Sequence, residues 1–315
     1  MDHHGEEIMV WKKNSEGKSQ YYYKPTKVNT KIIQKDWFKE HKYKQGTFIP
    51  NFFEDIEQIL TPIRRGYWAY AIDGDGCISL RKKTKKIEVI LNLKDREPVQ
   101  QLADIYGTSI SVREYPEENW EPSYGTSLSG ERARHFLRLI CPYMTEKRKK
   151  ATQVINIYDP TYYPPKISMN FRKNPDLINP HMGMVAGFFD TEGSVGIRIR
   201  ERKAMTKKFG KRIYTWLDPW LDFSNSDIRP LRKLKKILET WPFNFKTALR
   251  TEKKRKGRLS KGKDAKVAHK LTISQHQHLL FMKMFSPWIL ITRKREYADK
   301  FELKKKIYKI CDKNK

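Results

Sequence analysis

One segment of the chain occurs twice, and an internal repeat constrains the fold more than any other sequence feature. The stretch GYWAYAIDGDGCISLR, beginning at Gly66, recurs as GMVAGFFDTEGSVGIR, beginning at Gly183. Aligned, Ala69 meets Ala186, Asp73 meets Asp190, Asp75 meets Glu192 and Gly76 meets Gly193. Two more stretches repeat in the same order: LNLKDREPVQQL from Leu91 against FSNSDIRPLRKL from Phe223, and HFLRLICPYMTEKRKKA from His135 against LLFMKMFSPWILITRKRE from Leu279. Collinear matches make a duplicated domain. The offset between copies grows along the chain, so the second copy carries longer hairpins, including one with the Gly/Lys-rich KKRKGRLSKGK.

Each copy reads as the same string of elements. A short apolar helix ends at D-G-D-G or D-T-E-G, and two alternating strands follow, ISLRKKTKKIEVILNL in one copy and VGIRIRERK plus RIYTWLDPWLDF in the other. Next comes a helix, EPVQQLADIYG or IRPLRKLKKILETW, the first stopped by Gly107 and the second followed by Pro242. Two more strands and a helix complete the unit, and a basic helix closes it. The order predicts an α+β fold of tandem pseudo-symmetric αββαββα domains, each with an antiparallel four-stranded sheet. Alternation gives each sheet one face for its helices and one polar, basic face for a partner. The predicted divisions are an N-terminal extension over 1–60, a first domain over 61–160, a Pro/Tyr/Asn-rich linker over 161–180 and a second domain over 181–315.

Composition says what that partner is. The 315 residues carry 65 Lys+Arg against 36 Asp+Glu, a formal charge of +29, which is the balance of a polyanion binder. With 38% hydrophobic residues the chain can build cores, so disorder does not explain the charge. No apolar run approaches the ~18 to 20 residues of a membrane span, and the first residues show no apolar signal core; a soluble protein with no membrane partner is expected. Cys77, Cys141 and Cys311 lack C-x-x-C spacing and suggest neither a zinc site nor a disulfide framework. Lysines and arginines are spread through strand-like stretches rather than collected on one helix, which favours sheet faces tracking phosphates.

The acids of the repeat demand their own explanation. D-G-D-G-x-I suggests a calcium loop, but with Asp73 and Asp75 at loop positions three and five, Ala71 and Lys82 fall where the loop needs acids. WAYAIDGDG, Trp68 to Gly76, and VAGFFDTEG, Val185 to Gly193, resemble instead the paired motifs of a single-chain LAGLIDADG homing endonuclease, and the resemblance covers roughly residues 60 to 310. It implies that the two motif helices pack together at the domain interface through small residues, here Ala69, Ala186 and Gly187, with Tyr70 standing where the pattern usually has a small residue. It implies that Asp75 and Glu192 hold Mg²⁺ or another divalent cation near the DNA, while Asp73 and Asp190 are structural acids of the interface. Two carboxylates suit such chemistry, because phosphodiester hydrolysis needs an activated water and charge neutralisation at the phosphate, and Mg²⁺ takes few protein ligands.

The resemblance further implies a lysine beside the active site, at Lys147; in the second copy the matching slot falls on Thr292, followed by Arg293 and Lys294. It also implies a polar residue near the metal-bound water, which Asn225 provides and the matching Leu93 does not. Both departures make the two copies' chemistry differ, with unequal cutting of the two strands as the expected consequence. Double-stranded DNA would be read in the major groove from the sheets, with Arg81, Lys83, Lys85, Arg113, Arg198, Arg200, Arg202, Arg250 and Lys270 as contacts. The expected function is a monomeric, intron-encoded endonuclease making a double-strand break in a long asymmetric target. A maturase-type splicing cofactor that binds intron RNA, or a non-cleaving nucleic-acid-binding protein, is the alternative. Residues 1–60 interleave aromatic and basic side chains, suiting nucleic-acid contact, and the abundance of Lys, Ile, Asn and Tyr is compatible with an A·T-rich organelle gene, chloroplast or mitochondrial.

Overall fold

In the computed structural model, residues 9–13, 19–23, 52–81, 84–114, 121–206, 210–253 and 267–302 are described. A hairpin of β1 (Met9–Lys13) and β2 (Ser19–Tyr23) comes first. The first copy then runs α1 (Phe52–Ile59), α2 (Pro62–Asp75), β3 (Gly76–Arg81), β4 (Lys86–Leu93), α3 (Arg96–Tyr106), β5 (Ile110–Arg113), β6 (Ser123–Ser129), α4 (Glu131–Ile140) and α5 (Arg148–Ile155). The second runs α6 (Ile178–Glu192), β7 (Gly193–Thr206), β8 (Gly210–Asn225), α7 (Ile228–Glu239), β9 (Thr247–Lys253), β10 (Val267–Ile273), α8 (His278–Phe285) and α9 (Thr292–Arg295). The sheets are antiparallel, with matching orders β3-β4-β6-β5 and β7-β8-β10-β9. The fold is thus α+β with two pseudo-symmetric domains. Among the described residues no helix is long and apolar enough to cross a membrane.

Local sequence explains the elements. Pro62 opens α2 at a position whose N–H would go unused, and Gly107 stops α3 in the left-handed conformation at φ 59°. On α3, Val99, Leu102, Ala103 and Tyr106 form the buried stripe of an amphipathic helix. The two motif helices differ in kind: every residue from Gly66 to Asp73 and from Gly183 to Asp190 is buried. A helix covered all round lies at a core, and here each is covered on one side by its own sheet and helices and on another by the other motif helix. In the second domain Phe188 stacks on Phe223 and Phe189 meets Phe281 edge-on, with ring centroids 6.1 and 5.4 Å apart.

Two boundaries differ from the sequence reading. Helix α1 falls inside the segment assigned to the extension, yet Ile56, Ile59 and Leu60 are buried in the core and His135 of α4 meets Glu57 and Phe53. Helix α6 begins at Ile178, inside the segment assigned to the linker, because a 3₁₀ turn capped by Asn174 leads straight into it. Neither stretch has a repeat partner, so self-similarity could not place it.

Candidate active site at the paired helices

Three glycines let α2 and α6 touch backbone to backbone. A Cβ on Gly183 would lie 1.8 Å from the Ile63 carbonyl oxygen, one on Gly66 would lie 1.9 Å from that of Pro180, and one on Gly187 would lie 2.1 Å from that of Tyr67. Backbone atoms cannot yield at such distances, so only glycine fits. Of the expected interface residues, Gly187 is at the contact and Ala69 and Ala186 are fully buried. Sequence reasoning overlooked Gly66 and Gly183, although they open the two repeated stretches. Tyr70 reaches the other motif helix: its ring meets Phe188 of α6 edge-on, and its hydroxyl is 3.0 Å from Thr145 Oγ1.

Each helix end is locked by an acid and a lysine. Asp73 accepts from the backbone N–H groups of Thr145, Glu146 and Lys147, the last at 2.9 Å. In return Lys147 Nζ donates to the carbonyls of Ile72, Asp73 and Gly74 at 2.8, 2.7 and 3.0 Å. In the second copy Asp190 accepts from Leu290 N–H at 2.7 Å, from Ile291 N–H and from the Tyr67 hydroxyl of the first copy at 2.8 Å. There Lys294 Nζ donates to the carbonyls of Phe189, Asp190 and Gly193 at 2.6, 2.7 and 2.8 Å. The lysines satisfy carbonyls that a helix C-terminus leaves open and complement its dipole.

This geometry corrects the alignment of the last helices. Lys294, not Thr292, is the structural counterpart of Lys147, since both ammonium groups grip the carbonyls of the motif's first acid and of the residue before it. Pairing on Pro142 and Pro287 missed the longer turn that precedes Lys294. The role expected of Lys147 also changes: an ammonium has three protons, and all three go to carbonyls, leaving none for a water or leaving oxygen. The lysine positions the acid-bearing end of α2. Burial lowers Lys294 to about 8, against the pull of Asp190.

Directly beyond these locks stand Asp75, the last residue of α2, and Glu192, the last of α6. Burial raises the Asp75 carboxyl, with Lys147 and Lys294 opposing. Burial, then the charges of Asp75 and Glu146, push Glu192 up to about 7. The charge of Asp75 thus reaches Glu192 across the helix pair. Asn225 Nδ2 donates to Glu192 Oε1 at 3.2 Å, and Asn225 Oδ1 accepts from Asp227 N–H at 2.7 Å. On the other side Leu93 is buried. A cavity of about 650 Å³ opens beside Asp75, lined among others by Asn92, Asp95, Thr191, Arg293 and Lys294. Glu146, which the sequence reading passed over, adds a third acid on the Glu192 side.

The donor set fits a hard divalent cation. A half-buried Glu192, raised in part by the charge of Asp75, and an exposed Asp75, with the nearby ammonium groups committed to carbonyls, are stabilised by a cation between or beside them. Among the described residues no group of three or more His, Cys, Asp or Glu is placed to hold a metal ion.

No protein-family model matches the chain, and no curated protein sequence matches it. Solved structures do. The meganuclease I-SmaMI, bound to uncleavable DNA, matches with a TM-score of 0.40 and 13% identity over 78% of this chain and 91% of that one. The homing endonuclease I-WcaI, bound to its DNA recognition sequence, matches at 0.40 and 14% over 81% and 95%. The homing endonuclease I-CvuI, in complex with its target in the presence of 2 mM Ca, matches at 0.24 and 18% over 39% and 78%. The chain resembles the LAGLIDADG homing endonucleases.

The two open sheet faces, away from the helices, are unlike. Register and alternation put Cys77, Ser79, Arg81, Lys86, Glu88, Ile90 and Asn92 on the open face of the first sheet, with Ser111, Arg113, Ser123, Ser127 and Ser129. That face is mostly small and neutral. Arg81 gives both Nε and Nη2 to Glu88, at 3.2 and 2.7 Å. The second sheet's open face carries Arg198, Arg200, Trp216, Asp218, Trp220, Asp222, Arg250 and Lys270. Lys270 is bound to Asp222 at 2.9 Å, and Arg113 and Arg250 are exposed. Lys85 stands in the β3–β4 hairpin at φ 51° and is exposed. Lys83 and the Arg202 side chain lie outside the described residues.

Proposed function

We propose that the chain is a site-specific DNA endonuclease of the LAGLIDADG type, a single chain whose two copies each act on one strand of a long asymmetric target. The observation that carries this reading is the pair Asp75 and Glu192, the last residues of the two interlocked helices, at matched positions of the two copies. Asp75 and Glu192 would hold divalent cations, Mg²⁺ in the first instance, and a bound cation would supply an activated water and neutralise the scissile phosphate.

The chain's own groups do the positioning. The Asp73–Lys147 and Asp190–Lys294 locks fix the two acid-bearing helix ends, and the glycine contact fixes one end relative to the other. Asn225 holds Glu192 Oε1, orienting that carboxylate; Leu93 cannot do the same for Asp75, so the two strands are cut at unequal rates. The net charge of +29 supplies the sequence-independent part of the affinity.

Incubation with Mg²⁺ and a DNA library of intron-insertion sequences tests the proposal, with Asp75→Asn and Glu192→Gln in parallel. Wild type makes double-strand cuts at one sequence, and each variant loses roughly 10³-fold or more in rate while still binding DNA. Binding without any cut by wild type would sink the endonuclease reading and turn attention to intron RNA as the ligand.

A further inference from the structure

Arg198 and Arg200 occupy neighbouring same-face positions of β7, and Asp218 of β8 stands opposite Arg198. The Asp218 carboxylate takes Nε from both: Arg198 at 2.8 Å, and Arg200 at the same oxygen. Both guanidinium groups are about half exposed, at 53% and 48%, whereas Asp218 is 21% exposed. No terminal nitrogen of either arginine bonds another described residue. Arg198 also lies over the Trp220 ring at 5.8 Å. That indole is fixed in turn, its Nε1 donating to Ser194 Oγ at 3.1 Å and its ring crossing Gly196, where a Cβ would come within 2.0 Å of it. An arginine held by an acid at Nε and a ring beneath loses little freedom when its outer nitrogens find acceptors, so the cost of ordering it is already met.

Among its described residues the first sheet offers nothing equivalent. Arg81 sits at the repeat position of Arg198, but its whole bidentate edge, Nε and Nη2, is consumed by Glu88. Its neighbours on that face are mainly serines, whose hydroxyls donate or accept with any base.

We infer that Arg198 and Arg200, braced by Asp218, form a built reader for two guanines, and that base specificity is concentrated in the half of the DNA target lying on the second sheet. This rests on the reading that the open sheet faces lie on DNA. Guanine is the base whose N7 and O6 accept both donors of an arginine fork in the major groove. Same-face residues on a strand are spaced ~6.7 Å apart, close to two base-pair steps of ~3.4 Å each, so the two guanines are separated by one base pair.

Selection from a random-sequence duplex library by the full chain in EDTA tests this without any cleavage step. Wild type should enrich sites with two guanines, one base pair apart, on one side only. Arg198→Ala should erase the preference at one of them and Arg200→Ala at the other, each by roughly 5- to 150-fold. Asp218→Ala should weaken both by about tenfold, with Asp218→Asn intermediate, while preferences elsewhere stay as in wild type; circular dichroism checks that each variant is folded. Enriched sites lacking the guanine pair, equal preference in both halves, or a wild-type profile from Asp218→Ala would each overturn the inference and leave the nuclease reading standing. Failure of wild type to enrich any sequence would overturn both.

Discussion

The two copies share a backbone plan and differ in nearly everything that faces outward. Each has a helix buried along its middle, an acid at its end, and a lysine and aspartate that lock that end to a distant turn. Yet the open face of one sheet is serine-rich and that of the other carries arginine, tryptophan and aspartate. One helix-end acid, Glu192, has Asn225 and Glu146 for neighbours, and the other, Asp75, shares a cavity with Leu93 and Arg293. The lesson is that the interface and the locks keep one plan in both copies, because both depend on backbone contacts, whereas side chains that meet solvent differ freely between copies.

The lock should show the largest effect. Lys294 is 6% exposed and Lys147 is half-buried. Lys294→Met leaves three helix-end carbonyls without a donor and Asp190 without a nearby cation, which should cost ~3–5 kcal/mol, in the range for breaking one side of a buried charged pair. Lys147→Met, with water able to reach the site, should cost ~1–2 kcal/mol. Denaturant unfolding of both variants measures the difference. Equal losses would mean that the two locks are energetically the same and that burial does not set their strength.

Protonation gives a second handle. The Glu192 carboxyl is raised to about 7 in the folded chain, above its unfolded value of ~4.3, so the folded state holds the extra proton between those values. That contribution to stability is fully present below the unfolded value and is lost as pH rises through about 7. The metal-free protein should therefore lose melting temperature between pH 5 and pH 8, by roughly 2–4 °C, and Glu192→Gln should flatten that slope. Mg²⁺ at pH 8 should raise the wild-type melting temperature and leave Glu192→Gln less affected. A wild-type melting temperature flat from pH 5 to 8 would contradict the raised carboxyl.

Much of this could be read from the sequence, and the failures have physical causes. Periodicity and the repeat gave both sheets, because alternation in a strand and the apolar stripe of a helix are local. Asp75 and Glu192 could be singled out because two matched positions, each the last of its helix, carry carboxylates. Lys294 was misplaced because a longer turn precedes it, and only the carbonyls it grips reveal the match. Gly66 and Gly183 were passed over because the need for them arises from the other helix, which a linear reading does not contain. Likewise Asp218, twenty residues from Arg198, looks like an ordinary surface acid until register sets it opposite.

The difference between Asn225 and Leu93 can be reversed. Asn225→Leu should slow cutting of the strand served by Glu192 by about tenfold, the equivalent of one hydrogen bond to a charged group, and bring the two strand rates closer together. Leu93→Asn should speed the other strand, provided the amide reaches Asp75 as Asn225 reaches Glu192. Strand-specific end labelling on a cleaved duplex measures both. Unchanged strand ratios in both variants would mean that the asymmetry arises elsewhere, with the Glu146 side chain as the next difference between the copies.

The smallest effect concerns the residue just before each lock lysine. Arg293 bridges to Asp95 of the other copy at 2.7 Å, with Arg293 67% exposed and Asp95 18%. Its counterpart is Glu146, which faces Asp227 as a like charge and is raised mainly by burial. A double-mutant cycle on Arg293→Ala and Asp95→Ala should give a coupling of only ~0.2–1 kcal/mol, as for other exposed pairs. Glu146→Arg would copy the bridge to the opposite side, but Arg229 already holds Asp227 through Nε at 2.7 Å, so the gain in stability should be smaller still. What that substitution should change is the charge around Glu192: with a cation replacing a carboxylate, the Glu192 carboxyl falls and the pH-dependent loss of melting temperature shifts to lower pH. If that slope does not move, Glu146 does not act on Glu192, and the difference in charge between the two sides has no bearing on the acids between them.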